Sequence, residues 1–151
     1  MAAMTVNSEF AGRSYAPSGP YAVDAAMIAA FARAVGATDP LHTDADAARA
    51  AGYRDVIAPP TMAVRFAQRC SAEYVRDPEA GIDYSRVVHG EEGFVHHRPI
   101  TAGDELTGTL TVDAIRQAGG HSMITTRCEL VDAEGSPVCT ETSTIVVRGG
   151  E

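Results

Sequence analysis

The chain has no lysine and no tryptophan among its 151 residues, and all twelve of its cationic side chains are arginine. Without lysine there is no amine for a Schiff base and no Walker-type phosphate lysine. Against those twelve stand 20 Asp and Glu, giving a formal net charge of −8 and a pI near 5.0. A field of that sign repels nucleic acid and anionic membrane surfaces, so neither is expected as a partner. Cysteine is scarce as well. Cys70, Cys128 and Cys139 are odd in number, widely spaced and form no C-x-x-C. Neither a zinc ribbon nor a redox pair is indicated, and buried small hydrophobes are expected. No apolar run reaches the roughly 18 residues of a membrane span. The opening MAAMTVNSEF has no basic segment leading into an apolar one, so no secretory leader is expected. A cytoplasmic protein in a reducing compartment follows as the expectation.

What is present is patterned apolar sequence, 45% of the chain, of a length that suits one domain over residues 1–151. After the Pro/Gly turn APSGP (16–20), Met27, Ile28, Phe31 and Val35 recur at helical spacing. Asp24 is a natural N-cap and Gly36 a natural stop, and with Arg33 as its only charge this helix is expected to be mostly buried. Residues 43–52 read as a short Ala-rich helix ended by Gly52. A longer helix signal spans 56–75, with Pro60 at a first helical position and Met62, Phe66 and Cys70 along one face. Residues 76–86 read as a loop. From 86 onward the period changes to two. Leu106, Leu110 and Val112 alternate with Thr107, Thr109 and Thr111, and Ile124, Cys128 and Leu130 with Thr125, Arg127 and Glu129. AGGH and DAEGSP supply the turns. The expectation is an α+β domain with three or four antiparallel strands of about 8–10 residues. The bare face of such a sheet is expected to be apolar and to drive oligomerisation.

Polar candidates cluster in GATDPLHTD (36–44), where Asp39, His42 and Asp44 fall close together. Acid beside imidazole suits proton transfer, whereas Asp39 before Pro also suits a turn or an N-cap, and Asp44 and Asp46 suit first-turn acids of the short helix. His96 and His97 are adjacent and point to opposite faces of a strand, so they do not share a metal. No serine lies in a G-x-S-x-G elbow.

Two stretches, FARAVGATDPLHTDADAARAAGYRDVIAPPTM and VHGEEGFVHHRPITAGDELTGTLTV, resemble the MaoC-like (R)-specific enoyl hydratase/(3R)-hydroxyacyl dehydratase family. The resemblance runs from about Tyr21 to Val147. It implies a single hot-dog domain, a long antiparallel sheet wrapped around a central helix that starts at PPTM. It implies an acyl-CoA or acyl-carrier-protein thioester as ligand, no metal and no other cofactor. The family pattern G-D-x-N-P-[LIV]-H falls on Gly36, Ala37, Thr38, Asp39, Pro40, Leu41 and His42. The catalytic Asp of the family thus falls on Ala37, and its Asn on Asp39. His42 is the implied catalytic residue, with Asp39 as a substitute acid. Pro60, Thr61 and Met62 match the helix start whose amides polarise the thioester carbonyl, although Pro60 has no N–H. His89 and Gly90 fall on the implied tunnel wall. The A-P-P-T variant resembles the branch of N-terminal halves and partner subunits. Three readings follow: a weak or inert subunit that shapes the acyl tunnel beside a catalytic partner, a self-sufficient hydratase using His42 and Asp39, or an acyl-thioester binding protein or thioesterase. Two hot-dog domains, identical or different, are expected to pair edge to edge.

Overall fold

The computed structural model describes residues 5–150. One antiparallel sheet carries five strands: β1 (Ser18–Ala22), β2 (Val87–His96), β3 (Glu105–Ala118), β4 (His121–Val131) and β5 (Pro137–Val147), in the order β1-β3-β4-β5-β2. Three helices, α1 (Ala25–Val35), α2 (Ala45–Ala50) and α3 (Ala63–Arg76), lie between β1 and β2 in the chain.

Turn chemistry builds the meander β3–β4–β5. Gly119 and Gly120 join β3 to β4 at φ 57° and 79°. A two-residue turn with both centres left-handed matches the twist of its flanking strands, and glycine adopts it without steric cost. Between β4 and β5 the Asp132 carboxylate accepts the N–H of Glu134 at 3.1 Å and of Ser136 at 2.9 Å. Alternation then sorts the faces. Leu106, Leu110, Val112, Ile124, Cys128 and Leu130 are buried, while the intervening Thr, Arg127 and Glu129 face outward.

Helix α3 covers the apolar face. Met62, Ala63, Phe66, Ala67, Cys70 and Tyr74 recur every three or four residues and are all buried. Burying each large side chain contributes roughly 1.5–3 kcal/mol. Gly108 on β3 lets the helix sit close, since a Cβ there would meet Cys70 Sγ at 3.1 Å and Cys128 Sγ at 3.3 Å. All three cysteines are free and buried.

Several expectations are corrected. The APSGP segment runs into strand β1 and pairs with β3 instead of remaining a turn. Helix α1 buries only Ile28 and Ala32, because it lies against the fold along one narrow stripe. The long helix begins at Ala63, preceded by a 3-10 turn over Pro60–Met62. Two consecutive prolines keep Ala58 and Pro59 out of the helical region, since a residue before proline avoids it, and Ile57 is held by a β-bridge to Thr101. The loop 76–86 contains two further 3-10 turns. The strands of the meander reach 11–14 residues. The outer face of the sheet is polar, with Arg127 paired to Asp113 at 3.2 Å and Glu129 at 3.0 Å. What stays open is the edge of β2, which pairs only with β5 among the described residues and exposes Val88 and Val95. Among the described residues no helix is long and apolar enough to cross a membrane.

Candidate functional site

Helix α1 stops at Gly36, whose φ of 71° and ψ of 25° reverse the chain. Ala37 follows half-buried, its N–H donated to Ala32 O at 2.8 Å. Asp39 is exposed and caps a 3-10 turn over Pro40–His42, accepting the Leu41 N–H at 3.0 Å. Asp44 caps α2 in the same way, accepting from Asp46 and Ala47. Each acid beside His42 therefore has a backbone partner of its own. His42 is only 9% exposed, and its Nδ1 lies 2.7 Å from Ile57 O. A carbonyl oxygen only accepts, so Nδ1 carries the hydrogen and the neutral ring keeps its lone pair at Nε2, the position from which a histidine acts as a base.

The segment that supplies this carbonyl is itself pinned. Ile57 N–H donates to Leu41 O at 3.0 Å, and Ala58 N–H to Ile100 O at 2.8 Å. Just before it, Arg54 donates to the buried Asp104 at 2.7 Å. Arg98 donates to both oxygens of Asp104 at 2.8 and 3.0 Å, and the Thr101 N–H adds 2.8 Å. Burial alone would raise the Asp104 carboxyl, but these bonds outweigh it and hold it below the ordinary carboxylate value. Asp132 accepts at 3.2 Å from the same Arg98 Nη2 that donates to Asp104.

At the start of α3, Met62 is fully buried and its N–H is spent on Pro59 O at 2.9 Å. Pro60 has none to give. The exposed Thr61 is left as the residue with an N–H to offer there. His96 reaches back to this turn, with Nε2 at 2.8 Å from Pro60 O. His97 points away, to Thr140 Oγ1 at 3.1 Å. His42 and His96 are thus each bonded to a carbonyl of residues 57–60, the segment that leads into the helix.

The remaining candidates lie elsewhere. A cavity of about 450 Å³ opens beneath the second half of α3, starting at Ala67, roughly 9 Å along the axis from Thr61 at 1.5 Å per residue. His89 lines it; Gly90 sits instead at the bulge of β2, where a Cβ would meet Thr144 O at 3.3 Å. The structure therefore places Asp39 and His42 on the turn bonded to Ile57, Pro60, Thr61 and Met62 at the helix start, and His89 farther along. It also brings out Glu141, which the sequence reading passes over. Glu141 is 3% exposed and lines the same cavity. Burial first, and then the neighbouring carboxyl of Glu92, push its carboxyl up to about 9. The signal for it was legible. Cys139, Glu141, Ser143, Ile145 and Val147 alternate along β5 on one face, which sets a carboxyl in an inward row.

A five-stranded antiparallel sheet packed on one helix, with a capped histidine turn bonded to the segment before that helix, defines a hot-dog domain of the dehydratase kind. The comparisons agree: the chain belongs to the family described as FAS1-like, dehydratase domain region, which it matches over residues 9–141. A UPF0336 protein of Saccharopolyspora erythraea is 49% identical over 146 residues, covering 97% of this chain and 94% of the relative. A MaoC-like dehydratase superposes with a TM-score of 0.86 at 34% identity over 93% of this chain, which spans only 42% of that longer one. The HadBC (3R-hydroxyacyl-ACP dehydratase) complex of Mycobacterium tuberculosis superposes with a TM-score of 0.80 at 24% identity, over 91% of this chain and 96% of the other.

Proposed function

We propose that the chain is one subunit of a (3R)-hydroxyacyl-thioester dehydratase/enoyl-thioester hydratase, weak or inert alone, and that it shapes the acyl tunnel beside a hot-dog partner with the complete motif. One observation carries this reading. Position 37 is an alanine where the family has its catalytic aspartate, and the two acids flanking His42 are each bonded to the backbone of the turn or helix they cap. Dehydration removes a C2 proton and the C3 hydroxyl, and this needs a base and an acid within reach of one water. The chain keeps the histidine half of that pair, with Nε2 as its lone-pair side. The free edge of β2 supports pairing, since an unpaired strand of this length templates a second sheet. The match to under half of a longer MaoC-like dehydratase leaves room there for a second domain of similar size, and the HadBC likeness is to a complex of subunits. An acyl-CoA or acyl-carrier-protein thioester would present its carbonyl at Thr61 and run its chain beneath α3.

Ala37→Asp tests this directly. Hydration of a trans-2-enoyl-CoA by the isolated variant is expected to rise at least about ten-fold over the unmodified chain. Adding His42→Ala is expected to abolish the gain. An unmodified chain that already matches Ala37→Asp refutes the reading.

A further inference from the structure

The wall of the cavity beneath α3 is mostly apolar, as suits a hydrocarbon chain, but it carries a polar patch on its sheet side. Three adjacent strands supply the polarity. Their register sets Glu92, Ser143 and Thr126 in one cross-strand row, and Phe94, Glu141 and Cys128 in the next. The buried Glu141 lies beside the exposed Glu92 of the neighbouring strand. None of the ion pairs among the described residues involves either carboxyl, although Arg76 and His89 also line the cavity. The other titratable groups facing this pair are the thiols of Cys70 on α3 and of Cys128 and Cys139 on the sheet. A buried carboxyl without a cation beside it is stable as the neutral acid, and a neutral acid is a hydrogen-bond donor. Ser143 and Thr126 add hydroxyls to the same lining. Polar groups in a cavity favour a ligand that matches them over one that does not.

We propose that this cavity accepts the distal part of an acyl chain bearing a neutral oxygen substituent, a hydroxyl or a keto group, with Glu141, Glu92 and Ser143 as its hydrogen-bond partners. This rests on the reading of the chain as an acyl-thioester subunit and names the class of acyl group it takes. Two carboxyls would also suit an amine. Glu141, however, holds its proton to about 9, and so offers a donor instead of a counter-charge.

The probes are S-decanoyl-pantetheine and its analogues with a terminal hydroxyl, ketone or amine, because pantetheine is common to coenzyme A and the acyl carrier. Each is titrated calorimetrically into the full chain at neutral pH. The hydroxyl and keto chains are expected to bind roughly five-fold more tightly than the plain one. Glu141→Leu is expected to reverse that preference, and Glu141→Gln, which keeps a donor and an acceptor in the same shape, to preserve it. Ser143→Ala is expected to weaken it, which gives a second reading if Glu141→Leu fails to fold. Equal binding of plain and oxygenated chains, or a ratio that Ser143→Ala and Glu141→Leu leave untouched, overturns the polar-cavity proposal and leaves the acyl-thioester reading standing. Tightest binding of the amine overturns it in favour of a cation site. Failure of every acyl probe to bind removes both.

Discussion

Replacing Glu141 by Gln should free the fold from a pH dependence that the wild type carries. In the unfolded chain a glutamate releases its proton near pH 4.3. In the folded chain Glu141 keeps it up to about 9. Between those values the native state binds one proton more than the unfolded state, so stability falls as pH rises. The stabilising effect of the proton is complete below the unfolded value and is lost as pH climbs through the folded one. At about 1.4 kcal/mol per pH unit, moving from pH 5 to pH 8 costs the wild type at most about 4 kcal/mol. The carboxyl opens onto a cavity that admits water on one side, which reduces the loss to roughly 2–3 kcal/mol by solvent screening. Glutamine has the same shape and no proton to lose. Urea unfolding of both proteins at pH 5 and pH 8, at one protein concentration, isolates the effect of Glu141 and its coupling to Glu92, because titrating groups remote from the pair cancel in the difference. The stability of Glu141→Gln relative to wild type should grow by that amount from pH 5 to pH 8. A difference that stays constant would refute the argument that Glu141 is held neutral.

Asp104→Asn should cost roughly 2–4 kcal/mol at neutral pH, since it leaves Arg98 and Arg54 facing an uncharged amide. The folded carboxyl is depressed, so the wild-type advantage is full above the unfolded value near 4 and fades as pH falls through the folded value; denaturation curves of the two proteins should converge in acid. Gly108→Ala should destabilise by about 1–3 kcal/mol, because the new methyl meets both Cys70 and Cys128; an unchanged melting temperature would show that α3 is not seated on that strand. Val95→Asp, on the free edge of β2, should shift any dimer toward monomer in light scattering while leaving the monomer folded, as expected for an exposed position.

The sequence was most informative where local chemistry and burial agree. The alternation of Leu, Val and Ile with Thr along β3 and β4, the Gly119–Gly120 turn and the helical spacing of Phe66, Cys70 and Tyr74 each read correctly, since each is decided within a few residues. Strand β1 was hidden, because a segment built of Ser, Gly and Pro gains its strand character only from pairing with β3. The apolar content of helix α1 overstates its burial, because composition does not show how much of a helix finds a partner. At the candidate site, the capping role of Asp39 was legible as an alternative in the sequence, whereas Asp44 reads as a first-turn acid and instead caps a helix that begins at Ala45. The hydrogen bond from His42 to Ile57, fifteen residues on, was not, since it depends on a loop held by Asp104 from a distant turn. Glu141 was passed over because a Thr-rich strand drew attention to propensity instead of to the single carboxyl on its inward face.

The account stands most directly on the activity of the chain by itself. Hydration of a trans-2-enoyl thioester should be measured for the purified chain and again after reconstitution with a hot-dog subunit that carries the complete G-D-x-N-P-x-H motif. The isolated chain is expected to stay near the uncatalysed rate and the pair to exceed it by at least about a hundred-fold. Turnover by the isolated chain equal to that of the pair, and lost on His42→Ala, would contradict the account.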